Sequence, residues 1–203
     1  MSDQYRPVAS PRGAGARKRI RDAAMALFAQ RAFAEVTVKD IAREAGVFPN
    51  QITHHYGSKD ALYITAAFGL LLRESDRLRT GGRRASGPDL FKRELARTAL
   101  AMPSLPAVVG TLSVARANPA VRPELRSAMS VFFRQSDRYL ERVLEERGWA
   151  VSHGVEAAVR TFWGEVFGAV LMRQAGFDGG PGEHDIASAV EIREVQAASR
   201  PAR

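Results

Sequence analysis

Asn50, Gln51, Thr53 and His54 fall within five consecutive residues, and each carries a short or planar group that exchanges hydrogen bonds. An Asn or Gln amide can pair with both N6 and N7 of an adenine, and Thr can offer a hydroxyl or a methyl to thymine. This is recognition chemistry. For bond-making chemistry the chain offers no Gly-rich phosphate loop and no Ser/His/Asp order. His153 and His184 lie beside glycine-containing loops without a recognisable partner, so no catalytic residue is expected. His54 and His55 are adjacent, so on a helix they face different ways. No Asp or Glu stands at suitable ligand spacing, and the chain has no Cys, so neither a metal nor a cofactor is expected.

The polar group must be held by helices. Pro49 suits the first turn of a helix running to about Tyr56. Before it, Thr37-Val38-Lys39-Asp40 fits a capping pattern. Val38, Ile41, Ala42 and Ala45 then follow at helical spacing, and Gly46 can take the left-handed conformation that ends the helix. From about Ala16, a first helix carries Ile20, Ala23, Ala24, Leu27 and Phe28 on one stripe. Two helices joined by a tight Gly turn make a helix-turn-helix, whose second helix enters the major groove of DNA. Ile41, Ala42, Ala45, Val47, Ile52 and Tyr56 can face inward, which leaves Pro49, Asn50, Gln51, Thr53 and His54 outward.

Charge agrees with a polyanionic partner. The net charge is +8, and Arg6, Arg12, Arg17, Lys18, Arg19 and Arg21 stand against a single acid, Asp3, at the N-terminus. Lys59, just after the capping Ser58, is the foremost phosphate contact by position, because helix N-termini attract anions. Arg17, Lys18 and Arg43 come next. His54 meets either a phosphate or a base, while His55 packs or faces water. No apolar run is long enough to span a bilayer, and no secretory signal is recognisable. The expected setting is the cytoplasm, with no membrane partner.

The remainder reads as helices. A helix from Ser58 to Leu78 joins both halves. Gly81, Gly82 and Gly87 mark a linker at 79–88, and a last helix is expected from Asp185 to about Ala198. No alternating, strand-like run stands out, so the expected class is all-α. Gly164 and Gly168, with Ala157 and Thr161, make a flat strip for close helix packing. The C-terminal half is rich in Met and aromatic residues. Met102, Met129, Phe132, Phe133, Trp163 and Phe167 are candidates to line an apolar cavity as well as to form ordinary core. Arg116, with Arg97, Arg134 and Arg138, lies in the same region and could pair with an anionic ligand.

The run from Thr37 to Leu62, TVKDIAREAGV followed by HHYGSKDAL, resembles the TetR family of bacterial transcriptional regulators. Leu27-Phe28 strengthens the likeness, which covers roughly residues 17–72. It implies a homodimer, a palindromic double-stranded operator, and a small-molecule effector held in the C-terminal bundle, most simply as a ligand-released repressor. It also implies a dimer interface that includes Ala157, Thr161, Gly164, Gly168 and Leu171, built from that helix and the last one. The domains expected are a basic arm (1–14), a three-helix DNA-binding domain (15–60) and a C-terminal helical bundle for dimerisation and ligand binding (61–203). Residues expected at DNA are Arg17, Lys18, Thr37, Arg43, Phe48, Pro49, Asn50, Gln51, Thr53, His54, Tyr56 and Lys59. Two positions depart from the family pattern. Phe48 replaces a small polar residue and either packs on the second helix or touches a thymine methyl. Thr53 replaces a Tyr. Two rival readings are a bundle that senses a partner protein and a non-specific basic DNA-binding protein.

Overall fold

Thr37 opens its helix with a reciprocal cap. Its hydroxyl accepts from the Asp40 N–H at 3.1 Å, and the Asp40 carboxylate accepts from the Thr37 N–H at 3.0 Å. The hydroxyl also donates to that carboxylate at 2.7 Å and, with the backbone bond, holds the Asp40 pKa below its ordinary value. Such a cap contributes about 1 kcal/mol. The helix it starts, α2 (Val38–Ala45), ends at Gly46, whose φ of 63° is left-handed. Phe48 then precedes α3 (Pro49–Tyr56). Helix α1 (Pro11–Phe28) begins earlier than the expected Ala16. The computed structural model describes residues 11–82 and 85–195, so residues 1–10 of the expected basic arm lie outside them.

Ile20, Ile41 and Ile52, one from each of these helices, are fully buried and share one small core with Leu62, Tyr63 and Ala66. Those last three belong to α4 (Lys59–Glu74), which Ser58 caps by accepting from the Ala61 N–H at 3.1 Å. The opposite side of α4, with Ile64, Ala67, Phe68 and Leu71, enters the larger C-terminal core. One helix therefore serves both cores, and residue 60 lies in its first turn.

The C-terminal part comprises α5 (Asp76–Gly82), α6 (Pro88–Leu100), α7 (Leu105–Ala117), a 3-10 turn at Pro119–Val121, α8 (Arg122–Arg147), α9 (Val155–Gln174) and α10 (Glu183–Ser188). Phe91, Leu105, Phe132 and Trp163 anchor its core. Asn118 serves as the expected cap, its side chain accepting from the Ala120 N–H at 3.2 Å.

Four expectations are corrected. The helix expected to run unbroken from Ser58 to Leu78 is interrupted at Ser75, between α4 and α5. Gly81 and Gly82 do not break a helix but close α5. A Cβ on Gly82 would come within 2.7 Å of the Phe91 ring, so glycine permits this close approach. The last helix stops at Ser188, well short of Ala198. Beyond it, β2 (Ile192–Glu194) pairs antiparallel with β1 (Trp149–Val151), a minor strand pair in an otherwise helical fold. Val190 and Ile192 are buried while Glu191 and Arg193 are exposed, a period-two signal that a helical reading of the tail overlooks.

Candidate nucleic-acid interface

Helix α3 stands proud because only Ile52 is fully buried in it. Pro49, Asn50, Thr53 and His54 are exposed, and Phe48 is 77% exposed. Phe48 therefore does not pack on α2, the first of its two expected places. It also offers no side-chain cap to α3. Gln51 is half-buried, and its amide oxygen accepts from the Phe48 N–H at 3.3 Å. That bond orients the side chain and leaves its amino group to donate. The inward set is Ile41, Ala42, Ala45 and Ile52, fully buried, with Val47 and Tyr56 half-buried. The Tyr56 hydroxyl donates to the Arg17 carbonyl at 2.7 Å, pinning the end of α3 to α1.

Cations flank this helix, with unequal freedom. Arg17 stacks over the Tyr56 ring at 5.3 Å. Lys18 pairs with Asp22 at 2.7 Å and Arg43 with Asp40 at 2.7 Å, and both cations remain well exposed. The Lys59 ammonium donates to the Phe33 carbonyl at 2.7 Å and sits 4.0 Å over the Phe33 ring. Burial lowers its pKa. Sequence position alone makes Lys59 look like a simple outward charge, yet one of its three N–H donors braces the fold. His54 and His55 meet edge to face, with centroids 5.0 Å apart. Burial, followed by the neighbouring charges of His54 and Arg17, lowers the His55 pKa.

Two part-buried polar contacts tie this head to the bundle. The Tyr63 hydroxyl donates to the Ala107 carbonyl at 2.8 Å, and Asn118 donates to Asp60 at 2.8 Å. Farther along, a cavity of about 80 Å³ lies among α4, α5, α6, α8, α9 and α10. Of the expected ligand residues, Phe132 and Trp163 line it. Phe167 packs against both rings, with centroids 6.3 Å and 5.8 Å away. Met129 and Phe133 instead face a separate groove between α8 and α9, together with Arg134 and Arg160. Met102 is buried in the core, and Arg116 is exposed and lines neither space. Among the described residues, the cations that do reach the cavity are Arg79 and Lys92. Only the folded chain brings α5 and α6 together there, so residue type alone could not select them.

Along α9, Ala157, Thr161, Gly164 and Leu171 are exposed and Gly168 is half-buried. A Cβ on Gly164 or Gly168 would meet nothing within 4 Å, so among the described residues no helix packs tightly on the strip. The helix expected beside it in a dimer, the last one, has six residues and turns Ile186 and Ala187 inward.

Two family models match the chain: "Bacterial regulatory proteins, tetR family" over residues 20–66 and "Bacterial transcriptional repressor C-terminal" over residues 88–191. The chain belongs to the TetR family. Its members are transcriptional regulators, and α2 and α3 lie within the DNA-binding helix-turn-helix region that the family model covers. The HTH-type transcriptional regulator BetI of Brucella canis is 46% identical over 61 residues, a match that spans 30% of this chain and 30% of that curated relative. Among solved structures, a transcriptional regulator from Rhodococcus sp. RHA1 matches with a TM-score of 0.69 at 23% identity, covering 85% of this chain and 91% of that one. A regulator from Saccharomonospora viridis in complex with choline matches with a TM-score of 0.56 at 18% identity, over 88% of this TetR-family chain and 99% of its own. At these identities the structural likeness speaks for the fold.

Proposed function

We propose that this TetR-family regulator is a homodimeric repressor of the cytoplasm that binds a palindromic operator and leaves it when a small molecule enters the C-terminal bundle. The observation that carries the reading is the exposed row Phe48, Pro49, Asn50, Thr53 and His54 over the buried Ile52. A helix held by one apolar anchor, with short polar tips outward, can lie deep enough to reach base edges. Arg17, Lys18, Arg43 and Lys59 supply phosphate contacts that fix register and salt dependence, while Asn50, Gln51 and Thr53 supply sequence preference. Thr37 and Tyr56 act by seating the two helices. The open Gly164–Gly168 strip supports self-association. Two-fold symmetry would set paired recognition helices roughly 34–36 Å apart, or a multiple of that, on successive major-groove faces.

Selecting fragments bound from random and genomic DNA tests this. The expected product is an inverted repeat, bound at least 10³-fold more tightly than random duplex, as specific DNA-binding proteins typically are. Equal affinity for all duplexes would favour a non-specific basic binder. An effect of the bundle's occupant on operator affinity requires that it bind the two arrangements of the recognition helices unequally. A small molecule is favoured over a partner protein because the aromatic cavity lies inside the bundle.

A further inference from the structure

We propose that the cavity takes a compact organic anion, a monocarboxylate on an apolar body about the size of one aromatic ring, and rejects quaternary ammonium compounds such as choline. The walls are aromatic and aliphatic, with Phe132, Phe162 and Trp163 among them. The charges decide the sign of the ligand. Arg79 and Lys92 line the cavity, and among the described residues that line it none is Asp or Glu. Lys92 is the better placed. Its side chain is only 14% exposed, whereas its partner Asp89, 3.0 Å away, is 88% exposed and outside the lining. Asp89 is thus held by solvent on one side, and a ligand carboxylate can take over the ammonium from the other. A charge-assisted bond of this kind inside an apolar pocket is roughly twice as strong as a neutral one. An ammonium ligand would gain cation–π contact with the rings but would meet two like charges, whose partners Asp89 and Asp76, 3.0 Å and 2.9 Å from them, are exposed and lie outside the lining.

The free space keeps the ligand small. About 80 Å³ is less than the roughly 150 Å³ of a cavity known to hold benzene. A ring-sized body therefore enters only if the walls yield. Leu72, Ser75 and Leu78, on both sides of the helix interruption, are among those walls.

The inference deepens the effector reading above, but its test does not depend on DNA. Isothermal calorimetry on the full-length protein would compare phenylacetate, hexanoate, 2-phenylethanol and choline, with the wild type and with Lys92→Met, which keeps the stem and removes the charge. A far-UV circular dichroism melt of each protein checks folding. The expected result is that an acid binds about tenfold or more tightly than the alcohol, that Lys92→Met removes this preference, and that choline gives no binding heat. Should Lys92→Met fail to melt as the wild type does, the acid-to-alcohol ratio of the wild type alone decides. Choline binding, equal binding of acid and alcohol, or no binding by either acid would overturn the proposal. An acid that binds without releasing operator would overturn the effector reading and leave this one standing.

Discussion

The phenol of Tyr63 donates to the carbonyl of Ala107 at 2.8 Å, so a side chain that packs in the DNA-binding core ends on the backbone of the bundle. The same ring meets Phe28 and Phe33 at centroid distances of 4.8 Å and 4.6 Å. One residue thus joins the two cores by packing at one end and by polarity at the other.

Tyr63→Phe should keep the packing and lose the bond. It should destabilise by about 1 kcal/mol in urea unfolding, the usual net worth of an intramolecular hydrogen bond. Burial pushes the Tyr63 pKa up to about 12, from an ordinary 10. The neutral phenol is therefore favoured in the fold, so its stabilisation is complete below pH 10 and is lost as pH rises through about 12. The gap between wild type and variant should shrink over that interval. A constant gap would mean that the phenol does not titrate with folding.

Two helical glycines should respond oppositely to alanine. A Cβ on Gly110 would come within 2.8 Å of the Tyr63 hydroxyl, whereas one on Gly164 meets open space. Alanine is ordinarily better than glycine inside a helix by roughly 1 kcal/mol. Gly164→Ala should gain part of that in thermal melts, and Gly110→Ala should instead destabilise. Gly164→Leu should keep the helical circular dichroism while shifting sedimentation from dimer to monomer and weakening operator binding. A dimer of wild-type strength would exclude the strip from the interface.

Gln51→Ala and Lys59→Ala should separate specificity from affinity. The first should relax preference at one operator position by about 1–3 kcal/mol. The second should weaken operator and random duplex alike and lower the salt slope by about one. It should also reduce stability, because Lys59 braces the Phe33 carbonyl. Fluorescence anisotropy at several salt concentrations reads both effects. Parallel losses from the two variants on both duplexes would contradict the division.

Asp137 is a part-buried carboxylate whose surroundings disfavour its charge. Its Oδ1 has no hydrogen-bond partner among the described residues, and the Arg160 guanidinium stands 3.8 Å away. Burial raises its pKa above the ordinary 3.8 despite that cation. An acid raised by folding binds protons more readily in the native state, so native stability is relieved as pH falls. Asp137→Asn should therefore raise the melting temperature by about 2 °C near pH 7, and the advantage should fade with acidification and be gone below the ordinary 3.8. An advantage that persists there would assign the gain to packing.

Local chemistry explains what could be read from the residues. Thr37, Gly46 and Ser58 each mark a helix end through bonds to near neighbours, and Pro49 marks one by its fixed φ at the first helical position; each does so in the structure. The stripe Ile41, Ala42, Ala45 is buried as its spacing demands. Long-range geometry was less legible. The Gly81-Gly82 pair resembles a linker until Phe91 is seen pressing on Gly82. Lys92 resembles any helix-surface lysine until α5 and α10 close around it. The strand pair needed Trp149 and Ile192 to find partners more than 40 residues apart in sequence.

The break at Ser75 divides the spine of the molecule into two helices, α4 and α5. Leu72 precedes it, Leu78 follows it, and both touch the inner space. Helix α4, 16 residues long, spans about 24 Å. A rotation of roughly 5° at its bundle end would swing its other end by about 2 Å on that length. A guest wedged at that break would not need to push on the DNA-binding helices at all, since a small angular error there would put a proposed pair of them out of step with the groove.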